Sequence, residues 1–212
     1  MNNICSVICG APCKLLQKEF VTGYIIAADS GLDAALAAGI IPDIVVGDFD
    51  SAVSEIPNGA ECIRVSPIKD DTDTLLAANT AIERGCTEIR FFRALGGRLD
   101  HTFANIQMLY DLKLKGIRSV LFGDNERLYF LRDQTHVIPR YDGFLSVFAF
   151  GGNAELSEQG VQYPLSHHTM TECFPLGVSN VITSETAEIT VHKGTAMIIE
   201  SYSDNSQYMT GV

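Results

Sequence analysis

Four short segments in the first half of the chain carry most of the chemistry this sequence offers: Asp29-Ser30-Gly31, Gly47-Asp48-Phe49-Asp50-Ser51, Lys69-Asp70-Asp71-Thr72-Asp73-Thr74 and Gly96-Gly97-Arg98-Leu99-Asp100-His101. Asp48 and Asp50 are two apart, so in extended backbone both side chains leave the same face, with Cα atoms roughly 6.5 Å apart. One cation can then take an oxygen from each. Asp70, Asp71 and Asp73 crowd three like charges into four positions, an arrangement that is unfavourable unless a cation intervenes. A few carboxylates completed by water and phosphate oxygens suit Mg²⁺. Ca²⁺ would call for a D-x-D-x-D-G loop with a distal Glu, which the sequence lacks. Arg98 offers the planar fork that matches phosphate oxygens, and Lys69 adds a point charge. Gly96-Gly97 lets backbone approach a ligand closely, ahead of a helix whose positive end would face it. No G-x-x-x-x-G-K-[ST] occurs, so this is not a P-loop protein. Singly, Asp29 and Asp71 read more simply as helix caps. The collection is what points to metal-assisted phosphate chemistry.

These segments need elements to bring them together. Apolar runs at 4–8, 24–28, 44–46, 62–65, 89–92 and 120–122 read as buried strands. Helical patterns at 32–38, 74–84 and 102–115 lie between them, each stopped by a glycine: Gly39, Gly85 and Gly116. Alternating strands and helices predict a mostly parallel sheet covered on both faces. The acidic segments fall where strands hand over to helices, the rim on which open parallel sheets bind ligands. Past residue 126 the texture changes to short β-branched and aromatic runs at 128–131, 136–139, 144–150, 181–183, 187–191 and 195–201, several of them separated by Gly, Asn and Asp. The expected fold is therefore an α/β domain with a mostly parallel sheet over 1–124, followed by an all-β sandwich or barrel domain over 125–212.

Composition narrows the field further. The 212 residues are 46% hydrophobic and 19% charged, enough for a core in one large domain or two modest ones. A net charge of −11 argues against a general nucleic-acid binder, fits carboxylates that hold a metal, and suits a cationic substrate. The six cysteines include no C-x-x-C pair and read as reduced thiols of a cytosolic protein. No signal-like opening is visible and no stretch approaches about 18 apolar residues, so a cytoplasmic protein without a membrane span is expected. His167-His168 reads as part of a solvated loop, and His101 either as a hydrogen-bond donor to phosphate or as a residue that caps or packs near the helix start.

Taken in order, the four acidic segments resemble the catalytic-domain motifs of thiamine pyrophosphokinases. Gly160-Val161-Gln162-Tyr163-Pro164-Leu165 and Gly177-Val178-Ser179-Asn180 resemble that family's thiamine-binding signatures. The resemblance implies an α/β catalytic domain for ATP and Mg²⁺, a β-sandwich for thiamine, and a homodimer with shared active sites; charge and hydropathy add the expectation of no nucleic acid and no membrane as partner. It implies transfer of diphosphate from ATP to the thiamine hydroxyl, giving thiamine diphosphate and AMP. Asp48, Asp50 and Asp73 would hold Mg²⁺, with Arg98 and Asp100 completing the catalytic set. Asp29, Lys69, Thr72, Gly97 and Arg98 would line ATP, and Tyr163, Ser179 and Asn180 would position thiamine. Asp100 and Asp73 both stand as acceptors of the hydroxyl proton. The family commonly has Asp-Gly-Gly where this chain has Asp29-Ser30-Gly31, which sets a Cβ at a turn that favours glycine. Two other readings compete. A metal-dependent phosphoesterase would want a second histidine after Asp100-His101, where position 102 is Thr. A non-catalytic sensor would have no use for the full set of Asp48, Asp50, Asp73, Arg98 and Asp100.

Overall fold

The short apolar runs of the first half become strands, and those inside the sheet are buried on both faces, while the edge strand at 61–64 is largely exposed. In the computed structural model, which describes residues 3–12, 16–48, 53–64 and 72–203, they are β1 (Ile4–Ile8), β2 (Tyr24–Ala28), β3 (Ile44–Gly47), β4 (Glu61–Arg64), β5 (Glu88–Phe92) and β6 (Arg118–Phe122). All their pairings are parallel, in the order β4-β3-β2-β1-β5-β6. Ile8, Ile26, Ile44, Ile89, Phe91 and Leu121 are fully buried. The order reverses at β1: the chain winds outward through β2, β3 and β4, then returns to β1's other side as β5. Crevices open at the carboxyl ends of strands on either side of such a reversal.

Three helices cross between the strands: α1 (Gly31–Ala37), α2 (Asp73–Glu83) and α3 (Leu99–Leu114). Helix α2 starts where Thr72 Oγ1 accepts the Leu75 N–H at 3.2 Å, and it buries a face of small residues, Ala77, Ala78, Thr80 and Ala81. Helix α3 buries Asn105, Met108, Leu109 and Leu112, one face at helical spacing. It begins at Leu99 where the pattern predicts 102; Leu99 and Phe103 in these first turns are exposed, and burial begins only at Asn105. The earlier start puts Arg98 at the N-cap and Asp100 in the first turn.

The chain divides by its contacts into two units, Met1–Asp124 and Asn125–Val212. The second contains β7 (Glu126–Pro139), β8 (Gly143–Ala149), β9 (Ala154–Gln159), β10 (Leu165–Met170), β11 (Gly177–Asn180) and β12 (Thr186–Tyr202). Every pairing among these six strands is antiparallel. The pairs of runs read at 128–131 with 136–139, and at 187–191 with 195–201, are single long strands, β7 and β12. They bend together: the β7–β12 register shifts between Val191 and Thr195, and Asp133 takes φ 49 where β7 faces that shift. On its other edge β12 pairs with β9 before the bend and with β8 after it. Leu131, Ile138, Leu145, Val147, Leu156 and Ile189 belong to one buried cluster fed by both sides of the bend.

Two readings of this half need correction. The run at 181–183 is not a strand; β11 ends at Asn180, and Ile182 makes only an isolated bridge to Val161. His167 and His168 lie on β10, not in a loop. There the imidazoles of His167 and His192 stack with centroids 4.0 Å apart, and His167 Nδ1 is 2.9 Å from Glu155 Oε1. No helix among the described residues is long and apolar enough to cross a membrane.

Candidate active site

The loops that leave β1, β2, β3 and β5 are packed against one another at the carboxyl rim of the parallel sheet. Cys9 N–H donates to Phe92 O at 2.9 Å and Ala11 N–H to Arg93 O at 3.0 Å, tying the β1 loop to the β5 loop. A Cβ on Gly97 would lie 2.7 Å from Pro12 Cδ, so that approach requires glycine. A Cβ on Gly31 would lie 2.0 Å from Ile8 O, and one on Gly10 would lie 2.0 Å from Ser30 Oγ. The β1 and β2 loops are therefore in contact too. Asp29 N–H donates to Val46 O at 2.8 Å, which seats Asp29 beside Gly47 and Asp48 at the end of β3. Thr74 Oγ1 lies 3.7 Å from Cys9 Sγ, bringing the first turn of α2, with Asp73, to the end of β1.

Asp29, Asp48 and Asp73 are thus half-buried carboxylates on loops that meet along one rim. Asp29 takes φ 47 and Arg93 φ 56, left-handed values uncommon for residues with a Cβ. Backbone strain of this kind concentrates at sites that use it. Ser30 itself is relaxed at φ −61 and ψ −7, so the departure from Asp-Gly-Gly is accommodated: the unusual backbone falls on Asp29, and Gly10 makes room for the serine hydroxyl.

Gly96 and Gly97 follow β5 with φ 87 and φ 70, then pass directly into α3. Asn105 Nδ2 donates to Ala94 O at 2.8 Å, and the Thr102 hydroxyl lies 3.3 Å from Gly96 O, so α3 and this turn move as one piece. Arg98 grips Asp100 with both branches of its fork, Nε to Oδ1 at 3.2 Å and Nη2 to Oδ2 at 2.6 Å. That bond holds the Asp100 carboxyl below the usual carboxylate range, helped by the His101 N–H at 3.0 Å. Both side chains are exposed.

Asp50, Lys69, Asp70 and Asp71 lie outside the described residues. Among the described residues, no three His, Cys, Asp or Glu side chains are grouped to hold a metal ion. Sequence reasoning missed the β1 loop, Cys9-Gly10-Ala11-Pro12, whose Gly and Pro directly after a strand were the available signal. It also missed Asp33 on α1, whose carboxylate accepts the Val53 and Ser54 N–H groups at 3.1 and 2.8 Å and so anchors the chain that returns from the β3 loop.

In the second unit the three residues read as a substrate site also come together. Tyr163 is 65% exposed and stands on the segment between β9 and β10. Asn180, buried at the end of β11, accepts the Tyr163 and Val181 N–H groups on Oδ1 at 3.1 and 3.0 Å. Its Nδ2 donates to Tyr163 O at 3.1 Å and to Glu158 Oε2 at 3.2 Å. Asn180 therefore spends its amide on holding Tyr163, which makes its effect on any ligand indirect. Ser179, exposed beside it, takes φ 58 at the register shift of β11 against β8, and its N–H donates to Ser146 Oγ at 3.0 Å.

Comparison with known proteins bears on both units. A family model described as Thiamin pyrophosphokinase, catalytic domain matches residues 17–121, and one described as Thiamin pyrophosphokinase, vitamin B1 binding domain matches residues 135–196. The thiamine pyrophosphokinase of Bacillus subtilis is 31% identical over 219 residues, spanning 92% of this chain and 97% of that protein. The crystal structure of the thiamine pyrophosphokinase from Bacillus subtilis aligns with a TM-score of 0.87 at 26% identity, over 95% of this chain and 100% of that one. That from Geobacillus thermodenitrificans gives 0.82 at 27% identity, over 96% and 99% of the two chains.

Proposed function

The chain belongs to the thiamine pyrophosphokinase family, and we propose that it carries out the family's transfer of diphosphate from ATP to the thiamine hydroxyl with the rim of its parallel sheet as catalytic site and its second unit as thiamine site. The observation that carries this reading is the convergence of the β1, β2, β3 and β5 loops, with Asp29, Asp48 and Asp73 on or beside them. In this reading 1–124 is the ATP domain and 125–212 a thiamine-binding β-sandwich, and the protein works in the cytoplasm.

The donors fit Mg²⁺, since Asp48 and Asp73 supply hard carboxylate oxygens at the sheet's rim; with Asp50 they would hold the ion. Bound there, it would neutralise triphosphate charge. Around it Asp29, Lys69, Thr72 and Gly97 line ATP, Gly97 through the backbone of the turn that Pro12 packs against at the head of α3. The Arg98 fork is shaped for phosphate oxygens; it is engaged by Asp100 at the head of α3 and would exchange that carboxylate for phosphate when ATP binds. Alignment of the thiamine hydroxyl with the β-phosphorus and stabilisation of the developing charge do most of the work in such transfers. The hydroxyl proton goes to Asp100 or Asp73.

Tyr163 offers an exposed ring to the cationic substrate, with Ser179 beside it and Asn180 holding its backbone in place. A homodimer accords with the apolar surface leading into β11, where Phe174, Leu176 and Val178 are 65%, 45% and 49% exposed. Incubation with thiamine, ATP and Mg²⁺ should yield AMP and thiamine diphosphate in equal amounts, and omission of the metal should stop both. Formation of ADP, or phosphate release without thiamine, would sink this reading.

A further inference from the structure

Glu158 lies on β9 among the apolar side chains of the second unit and is only 1% exposed. Its strand neighbours on that face, Ala154 and Leu156, belong to the buried cluster. Its Oε1 has no hydrogen-bond partner among the described residues. A buried carboxyl with an unsatisfied oxygen is costly, and a leucine would fill the position without that cost. Among the described residues, the carboxyl's hydrogen bond is with Asn180, whose Nδ2 donates to Oε2 at 3.2 Å.

That amide has two hydrogens to place, and Tyr163 O takes the other at 3.1 Å. Its oxygen already accepts the main-chain N–H groups of Tyr163 and Val181. With Glu158 present, every hydrogen-bonding direction of the carboxamide is filled, so it has one orientation and one place. Without Glu158 an amide N–H would be buried with nothing to receive it, and Asn180 would have to shift, taking both backbone groups of Tyr163 with it. We propose that Glu158 is a positioning residue for thiamine, acting through Asn180 to fix where the Tyr163 ring stands. The proposal rests on the reading of Tyr163 as a thiamine contact. Burial pushes the Glu158 carboxyl up to about 7. A proton carried on Oε1 leaves Oε2 able to accept from Asn180, so the clamp survives in either protonation state.

The test is steady-state kinetics on three purified variants, with folding checked by circular dichroism. Glu158→Leu should raise the thiamine KM about tenfold, the equivalent of one lost hydrogen bond, while the ATP KM and kcat stay within about twofold. Glu158→Gln keeps an oxygen that can accept from Asn180 and should hold the thiamine KM within about twofold of the parent. Tyr163→Ala should raise the thiamine KM at least as far as Glu158→Leu. If the leucine variant does not fold, Glu158→Met takes its place in the same assay. An unchanged thiamine KM in the apolar variants, with Tyr163→Ala raised, overturns the positioning role and leaves the thiamine site standing. No effect from Tyr163→Ala overturns the thiamine site, and the proposal with it.

Discussion

Asp48 and Asp73 arrive at the rim by different routes, one as the residue after β3 and the other as the first residue of α2. Asp73 is not needed to cap α2, since Thr72 already does so, and no described helix begins at Asp48. Replacing either with alanine should lower kcat about a hundredfold or more with an unchanged fold, a loss expected when a group that stabilises transition-state charge is removed; equal kcat with lost thermal stability would make them structural. Glu158 yields a prediction of the opposite kind. Its carboxyl titrates near 7 in the folded chain and near 4.5 when unfolded. Both states hold the proton below 4.5; between 4.5 and 7 the unfolded state loses its proton first, so stability falls across that window and then levels off. The fall is on the order of 3 kcal/mol, and Glu158→Gln should remove it. Urea midpoints at pH 4.5 and 7.5 would show it as a variant that gains on the parent only at the higher pH. These residues were not equally legible in the sequence. Asp29 and Asp48 stood out because carboxylates just after apolar runs are visible locally, and Asp73 because it is crowded by Asp70 and Asp71. Glu158 did not, because its partner Asn180 is 22 residues away and only the fold brings them together. The grip of Arg98 on Asp100 was hidden for a related reason: the helix that sets their geometry starts at Leu99, ahead of its first buried residue, Asn105.

At the scale of elements, the first unit was readable because most strands of its parallel sheet carry a buried apolar run, such as Ile44-Val45-Val46 or Phe91-Phe92, between glycine-stopped helices. The second unit was harder, since its strands alternate and polar residues take inward positions. Glu158 breaks the pattern of β9, the histidines disguise β10, and Glu200 sits fully buried in β12. Glu200 shows how such a residue is kept. It faces Arg127 across the β7–β12 ladder, accepts from Nε at 3.0 Å and Nη2 at 2.9 Å, and receives the hydroxyls of Tyr129 and Tyr202 at 2.7 and 2.6 Å. Both oxygens are therefore satisfied twice. Glu200→Ala leaves Arg127 buried and unpaired, and should cost about 3–5 kcal/mol. The double change Arg127→Met with Glu200→Leu removes both charges and should recover most of that loss. Thermal melts of the single and double variants decide it; a double variant less stable than Glu200→Ala would mean the network holds the strands in a way apolar packing cannot replace.

For the whole molecule, the open question is whether one chain suffices for one active site. The two family models divide the chain, and the proposed chemistry divides with them: Asp48 and Asp73 in one unit, Tyr163 and Ser179 in the other. Among the described residues β11 pairs only with β8 and leaves its other edge open, next to exposed Phe174, Leu176 and Val178. An open strand edge with apolar side chains beside it is unusual unless a partner covers it. A second copy there would complete a closed, two-fold assembly, and under the proposed shared-site arrangement each thiamine site would draw its catalytic residues from the partner. Sedimentation should then show a dimer, and Val178→Asp should give monomers that turn over poorly. Mixing supplies the sharper test. Asp48→Ala and Tyr163→Ala are each impaired at low thiamine. If each site draws on both subunits, a mixed dimer has one site with both defects and one with neither, so an equal, re-equilibrated mixture should regain about a quarter of parental activity. If each site lies within one chain, every site in the mixture carries one defect, and co-incubation restores nothing.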